Sequence, residues 1–171
     1  KDDGLPGYAV AGLAFDGKGM WIGTGNGLGY YDGKVFKTYN TKNGLSANGI
    51  WALHYCKSNE TLFVGTEVAL NTVKAGKIGT VPIDAIENTA VLSINSYTDS
   101  LLLLGTGGTG VVILDPDTYK HKFITTREGL ASDFVYFAAS DKKDYLWIGT
   151  EKGINHVKLD RHLEVIENLH F

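Results

Sequence analysis

The chain of 171 residues has little cysteine, proline or methionine: one Cys, three Pro and one Met. A single thiol, Cys56, cannot close an internal disulfide, so the sequence neither demands nor excludes an oxidising compartment. Cys56 ends the run Leu53-His54-Tyr55-Cys56 and reads as a small hydrophobe at a strand end. No basic cluster is present and the net charge is −3. That argues against a nucleic-acid partner, because neutralising phosphates needs gathered Lys and Arg. No apolar run approaches the ~20 residues of a membrane helix. No signal-peptide pattern opens the chain. It starts on Lys1-Asp2-Asp3-Gly4 without Met, and a processed or excised piece is expected.

What the sequence has is 43% hydrophobic residues, 20% charged residues and 22 Gly. That is enough apolar material for a core. Frequent Gly among aromatic and β-branched residues reads as short strands joined by tight turns. One motif returns throughout. Met20-Trp21-Ile22-Gly23-Thr24 recurs as Leu62-Phe63-Val64-Gly65-Thr66, Leu102-Leu103-Leu104-Gly105-Thr106 and Leu146-Trp147-Ile148-Gly149-Thr150, in steps of 42, 40 and 44 residues. This period suits a four-stranded propeller blade.

Each copy spells four strands. In the first they are Ala9 to Phe15, Met20 to Thr24, Leu28 to Tyr31 and Val35 to Tyr39, with hairpin turns at Asp16-Gly17 and Asp32-Gly33, and helical spacing is absent. The second copy enters on Asn43-Gly44-Leu45-Ser46 and repeats the plan. The third is the most degenerate: Ile86-Glu87-Asn88-Thr89 has lost the Gly-Leu pair. The fourth returns to Glu128-Gly129-Leu130-Ala131, and its last strand is expected over Leu163 to Ile166. The reading is an all-β propeller of four tandem four-stranded antiparallel blades in one domain, 1–171, with blades about 1–40, 41–83, 84–126 and 127–171. Trp21, Phe63, Leu103 and Trp147 are expected to fill the gaps between blades. The Gly before each Thr is expected to let the backbone bend, and each Gly-Leu loop to plug a Leu beneath the crossover.

In a propeller the loops before each first strand and after each second strand share one face. Tyr8, Asn48, Asn88 and Asp133 are equivalent entrance positions. Asn26, Glu67, Thr109 and Glu151 are near-equivalent in the other loop set, and Trp51 follows Asn48. Polar groups converging with an aromatic suit a sugar or another small polar ligand. Turn chemistry is the competing explanation for the Asn and Asp residues. The five His residues, 54, 121, 156, 162 and 170, lack metal-ligand spacing. Asp115-Pro116-Asp117 reads as a hairpin turn, and Gly105 to Gly110 lacks the Lys-Ser/Thr end of a phosphate loop. A catalytic set, a metal site and a cofactor are not expected.

The motifs Asn43-Gly44-Leu45-Ser46, Trp21-Ile22-Gly23-Thr24, Gly27-Leu28, Tyr31-Asp32-Gly33 and Phe36 together resemble the two-component regulator propeller repeat. Trp147-Ile148-Gly149-Thr150, Gly153-Ile154 and Glu128-Gly129-Leu130 carry the resemblance again. It implies the periplasmic sensor part of a hybrid histidine kinase, of a kind found often in gut bacteria that sense glycans. It therefore implies a non-catalytic ligand-binding module, periplasmic or extracellular, with oligosaccharides among the expected ligands. A protein-interaction scaffold and a propeller lyase or hydrolase are the alternatives.

Four blades pose a problem of closure. Leaving several hundred Å² of apolar sheet bare costs on the order of ten kcal/mol at ~25 cal/mol per Å². The chain is therefore expected to be a half or partial propeller that forms a homodimer through open blade edges or meets further blades of a longer chain.

Overall fold

A computed structural model of the chain describes residues 4–141 and 145–171. The chain divides into two compact units, Lys1–Val91 and Leu92–Phe171. The first holds two sheets: β1 (Val10–Phe15), β2 (Met20–Thr24), β3 (Gly27–Tyr31) and β4 (Phe36–Tyr39), then β5 (Ile50–Cys56), β6 (Thr61–Thr66), β7 (Leu70–Lys74) and β8 (Lys77–Thr80). The third sheet is β9 (Val91–Ser96), β10 (Leu102–Thr106), β11 (Val111–Leu114) and β12 (His121–Ile124); all but Val91 lies in the second unit. The fourth, also there, is β13 (Val135–Ser140), β14 (Tyr145–Thr150), β15 (Gly153–Leu159) and β16 (Val165–His170). All four are meanders of neighbouring strands in chain order, the plan of a propeller blade.

The four strands of the first sheet fall within one residue of their expected limits, and β16, expected over Leu163 to Ile166, does not. Asp160 explains the shift. Its Oδ1 accepts from the backbone N–H of His162 at 2.8 Å and of Glu164 at 2.9 Å. Leu163 sits in the left-handed region at φ 63°. The turn therefore consumes the residues expected to open the strand, and β16 runs to His170 instead.

The recurring Thr of each Gly-Thr pair has a polar task. Thr24, Thr66, Thr106 and Thr150 donate their hydroxyls to the carbonyls of Gly27, Ala69, Gly110 and Gly153, at 2.8, 2.9, 2.8 and 2.9 Å. The same oxygens accept backbone N–H bonds from Asn26, Val68 and Ala69, Thr109 and Lys152. Each Thr thus closes the turn into the third strand at a place where water is excluded. The preceding Gly serves close approach more than bending. A Cβ on Gly23 would lie 2.6 Å from Ile50 Cγ2, and one on Gly105 would lie 2.9 Å from the Val135 carbonyl oxygen. The next sheet's first strand runs against these bare backbones.

Two further positions wire the entry loops to the sheets. Asn71 on β7 is fully buried. Its Oδ1 accepts from Ser46 N–H at 3.0 Å, and its Nδ2 faces Ser46 Oγ, Gly79 O and Thr80 Oγ1 at 2.9, 3.1 and 3.0 Å. Asn155 on β15 does the same for the fourth entry loop, accepting from Ala131 N–H at 2.9 Å and donating to Asn168 Oδ1 at 2.8 Å. The loops start on short 3-10 turns, Thr41–Asn43 and Thr126–Glu128, each with a capping box and each ended by a left-handed glycine, Gly44 and Gly129. Leu45 and Leu130 then bury beneath the loops, as expected. The third entry turn, Asp84–Ile86, lacks a side-chain cap and buries Ile86 instead.

In the first unit Trp21, Leu28, Leu45, Ile50, Leu62, Val64 and Val73 form one core. In the second, Leu103, Val111 and Ile113 of the third sheet meet Val135, Ala138, Leu146, Ile148 and Val157 of the fourth. Of the four repeat-equivalent fillers, Trp21, Phe63 and Leu103 are buried, and Trp147 is not. Trp21 is 7% exposed and Trp147 is 44% exposed. Trp147 lies on the side of the fourth sheet away from that core, stacked on His156 at 4.1 Å.

Replacing Asn71 by Leu strands the Ser46 N–H and breaks the link between entry loop and third strand. The expected loss is about 2–4 kcal/mol of unfolding free energy. Urea denaturation of Asn71→Leu beside the wild type measures it, and a change under ~0.5 kcal/mol would remove Asn71 from the account.

Candidate functional site

The structure brings several of the expected loop residues close to one another. Glu67 N–H bonds to Gly49 O, which places Glu67 beside Asn48. Glu151 N–H bonds to Phe134 O, and Glu151 Oε1 accepts from Ser132 Oγ at 2.8 Å, on either side of Asp133. Gly110 N–H bonds to Asp133 O, which brings Thr109 into the same group. A Cβ on Gly7 would touch Asn26, so Asn26 neighbours Tyr8. Tyr8 and Trp51 are exposed rings.

The polar ends of several of these residues are committed to the chain. Asn48 Oδ1 accepts from Thr41 N–H at 3.0 Å. Asp133 accepts from Thr126 N–H at 2.7 Å and from Thr126 Oγ1 at 3.1 Å. Thr109 N–H is bound by Thr106. Asn88 takes a left-handed conformation at φ 61°. For Asn48 and Asp133 the turn explanation holds: each ties its entry loop to the preceding 3-10 turn. Asp115 likewise accepts from Asp117 and Thr118 N–H as a hairpin turn residue.

A concave feature of the first unit lies at the other end of its sheets, near the β1–β2, β5–β6 and β7–β8 turns. It is a cleft of about 300 Å³. Four rings line it: Trp21, Tyr30, Tyr39 and Tyr55. Trp21 packs on Tyr30 at 4.4 Å and on Tyr39 at 5.7 Å. Asp16 and Glu60 bring carboxylates, Lys18 and Lys37 ammonium groups, and Leu62 and Val73 apolar surface. The hairpin registers explain the gathering: Trp21 pairs across the ladder with Tyr30, and Tyr30 with Lys37. Alternation puts partners on one face.

Asp16 organises the cleft. Its Oδ1 accepts from Lys18 and Gly19 N–H at 2.9 and 2.8 Å, and its Oδ2 accepts from Trp21 Nε1 at 3.0 Å. Tyr30 adds its hydroxyl. Burial pushes the carboxyl up, but these four donors together outweigh burial and hold it below the usual carboxylate range. Burial, and then the Asp16 charge, push the Tyr30 phenol above its ordinary value. Burial and the charges of Glu60 and Asp16 do the same for Tyr55. Both phenols are thus donors at neutral pH beside fixed acceptors.

Sequence reasoning placed Asp16 only in a turn and left Tyr30, Tyr39, Tyr55 and Glu60 unassigned. The signal was available in the hairpin spacing: two-residue alternation from Asp16-Gly17 puts Trp21 and Tyr30 side by side. Contact with Tyr55 and Glu60 depended on how the second sheet packs. Among the described residues no group of three or more His, Cys, Asp and Glu could hold a metal ion, and no helix is long and apolar enough to cross a membrane.

No protein-family model matches the chain. No curated protein matches it either. Solved structures do. The extracellular domain of BT3049 from B. thetaiotaomicron, described as a hybrid two component system, superposes with TM-score 0.83 at 20% identity, over 99% of this chain and 25% of that one. The extracellular domain of BT4673 from the same organism, also described as a hybrid two component system, gives TM-score 0.79 at 24% identity, over 96% and 22%. The WD40 β-propeller domain of Doa1 gives 0.63 at 13% identity, over 94% and 54%. The fold is thus that of propeller blades, and the chain spans about a quarter of the length of the first two structures.

The Asp16 shift carries a pH consequence. A carboxyl whose folded pKa is depressed stabilises the fold fully above its unfolded value, ~3.9, and loses that contribution as pH falls through the folded value. Asp16→Asn is expected to flatten the loss of stability on acidification below about pH 4. Urea midpoints of variant and wild type over that range test it; parallel curves would show that Asp16 ionisation contributes nothing.

Proposed function

We propose that this chain is a non-catalytic ligand-sensing propeller module of an extracytoplasmic two-component receptor, and that its first unit binds a neutral oligosaccharide. The observation that carries the ligand reading is the cleft. Four aromatic rings offer flat apolar faces, and two carboxylates and three phenols offer acceptors and donors at their edges. A sugar ring presents that combination, with C–H faces for the rings and hydroxyls for the polar groups. Its volume lies at the lower end of small-ligand sites. The two carboxylates and two ammonium groups of the lining balance, which favours an uncharged ligand. The receptor context and extracytoplasmic location draw support from the repeat resemblance and from the extracellular domains that share the fold. The mechanism is ligand-biased packing of neighbouring sheets, since Asp16, Trp21, Tyr30 and Tyr39 belong to the first sheet and its turns, and Tyr55, Glu60 and Leu62 to the second.

A second reading keeps the ligand at the loop end, where the exposed rings of Tyr8 and Trp51 stand near Asn26 and Glu67. Isothermal titration calorimetry against a panel of neutral oligosaccharides separates the two. The expected result is saturable heat with at least one sugar, recovered uncut. The affinity should fall about tenfold in Tyr55→Ala, the loss of one well-placed ring, and hold in Trp51→Ala. Loss in Trp51→Ala alone would move the ligand to the loops. No heat across the panel would sink the oligosaccharide reading, and a cleaved product would sink the non-catalytic one.

A further inference from the structure

The cleft of the first unit holds two carboxylates in opposite conditions. Asp16 is filled from its own sheet. A carboxylate has about four acceptor sites, and Lys18 N–H, Gly19 N–H, Trp21 Nε1 and the Tyr30 hydroxyl take those of Asp16. A ligand hydroxyl reaches Asp16 only by displacing one of these donors. Glu60 belongs to the second sheet, in the turn between β5 and β6. Among the described residues no donor and no cation is bonded to its carboxylate. That carboxylate nevertheless reaches the cleft. Glu60 lines the cavity, and after burial its charge contributes most to raising the Tyr55 phenol above its ordinary value.

The backbone holds Glu60 there against its preference. The residue lies in the left-handed region at φ 53°, which glycine enters freely and a side chain with a Cβ does not. The β1–β2 turn beside it uses glycine for such a place, Gly17 at φ 89°. Strained residues of this kind gather at ligand clamps, where the surrounding structure over-determines them. The ammonium groups of Lys18 and Lys37 also line the cleft. Among the described residues neither is in an ion pair.

We propose that Glu60 is the residue by which the cleft selects its sugar: its carboxylate accepts hydroxyls of a neutral pyranose stacked on the cleft's rings, and repels a sugar that carries a carboxylate of its own. The inference rests on the oligosaccharide reading of the cleft. A carboxylate holds a hydroxyl by a charge-assisted bond, about twice as strong as a neutral one, and its two oxygens can take two neighbouring hydroxyls. Its charge also decides which sugars enter. Lys18 and Lys37 attract an acidic sugar, and the Asp16 charge is already shared among four donors. Glu60 is the uncommitted charge that opposes them. With it the lining is balanced; without it the ammonium groups are in excess.

Calorimetric titration of maltotriose, cellotriose, mannotriose and trigalacturonate into the wild type, Glu60→Gln and Glu60→Gly tests the assignment. The wild type is expected to bind at least one of the neutral sugars and to leave trigalacturonate unbound. Glu60→Gln keeps the size and loses the charge. It is expected to weaken the neutral sugar about fivefold and to gain measurable binding of trigalacturonate at low salt. Glu60→Gly is expected to weaken the neutral sugar at least as much, with a urea midpoint at or above that of the wild type, because glycine takes this conformation freely. A residue that only shapes its turn would move stability and leave the preference between neutral and acidic sugars alone. Unchanged neutral-sugar affinity in Glu60→Gln would overturn the assignment and leave the oligosaccharide reading standing. So would a Glu60→Gln variant that still ignores trigalacturonate, or a Glu60→Gly variant that loses stability together with affinity. A wild type that binds none of the neutral sugars would overturn the oligosaccharide reading and this inference with it.

Discussion

A four-stranded sheet with apolar side chains on both faces has no stable place in water alone. Every other feature of this chain answers that constraint. The second sheet shows it plainly: all six residues of β6 are buried, whichever way they point. Burial on both sides demands a neighbour on both sides, and sheets pack closely only where side chains are small or interleave. The Gly before each Thr and the large residue two places earlier follow from this. One lets the next strand approach the backbone, and the other fills the space beside it.

Crowding of this kind leaves no water for the turns, so their backbone groups must be satisfied from within. The four Thr hydroxyls and the two buried Asn side chains do this work. Each Thr serves a turn inside its own repeat. Asn71 and Asn155 reach across to an entry loop about 25 residues away in sequence, at Ser46 and Ala131. Where the Asn is missing the loop changes too. Gly29 holds that place in the first sheet, and a Cβ there would lie 3.2 Å from Cδ of Pro6, so a proline ring packs where the amide would have been.

The period, most strand limits and the buried Leu45 and Leu130 of two entry loops were legible because they depend on local pattern: alternation, Gly turns and the step between Gly-Thr pairs. The 3-10 turns at 41–43 and 126–128 were not read, because three residues leave no periodic trace, although Asn40 with Asn43 and Thr125 with Glu128 are capping pairs visible in the letters. The roles of Asn71 and Asn155 were invisible, since a polar residue inside an apolar strand looks like noise until its partner loop is in place. Trp147 shows a different limit. Its sequence environment matches that of Trp21 almost letter for letter, yet its exposure is set by what lies across the sheet, and no pattern within the repeat records that.

The repeat itself separates structure from function. Positions that agree in all four copies answer a demand that every blade makes, as the Gly-Thr pair does. Positions at which copies differ are free of that demand, and a binding site can be built only there. At the Tyr30 position the copies read Tyr, Thr, Ile and His; at the Asp16 position an acid stands in the first and fourth copies alone. The loop position of Asn48 and Asp133 varies too, reading Tyr8, Asn48, Asn88 and Asp133, but Asn48 and Asp133 are each occupied in tying a capped turn to the strand that follows it. An acid, an indole and a second ring recur together on the first and fourth sheets and on neither middle sheet. In the first unit this combination lines a cleft because the second sheet covers it. On the fourth sheet the same combination lies on the open face, so a ligand-binding seam there depends on whatever surface the sheet meets.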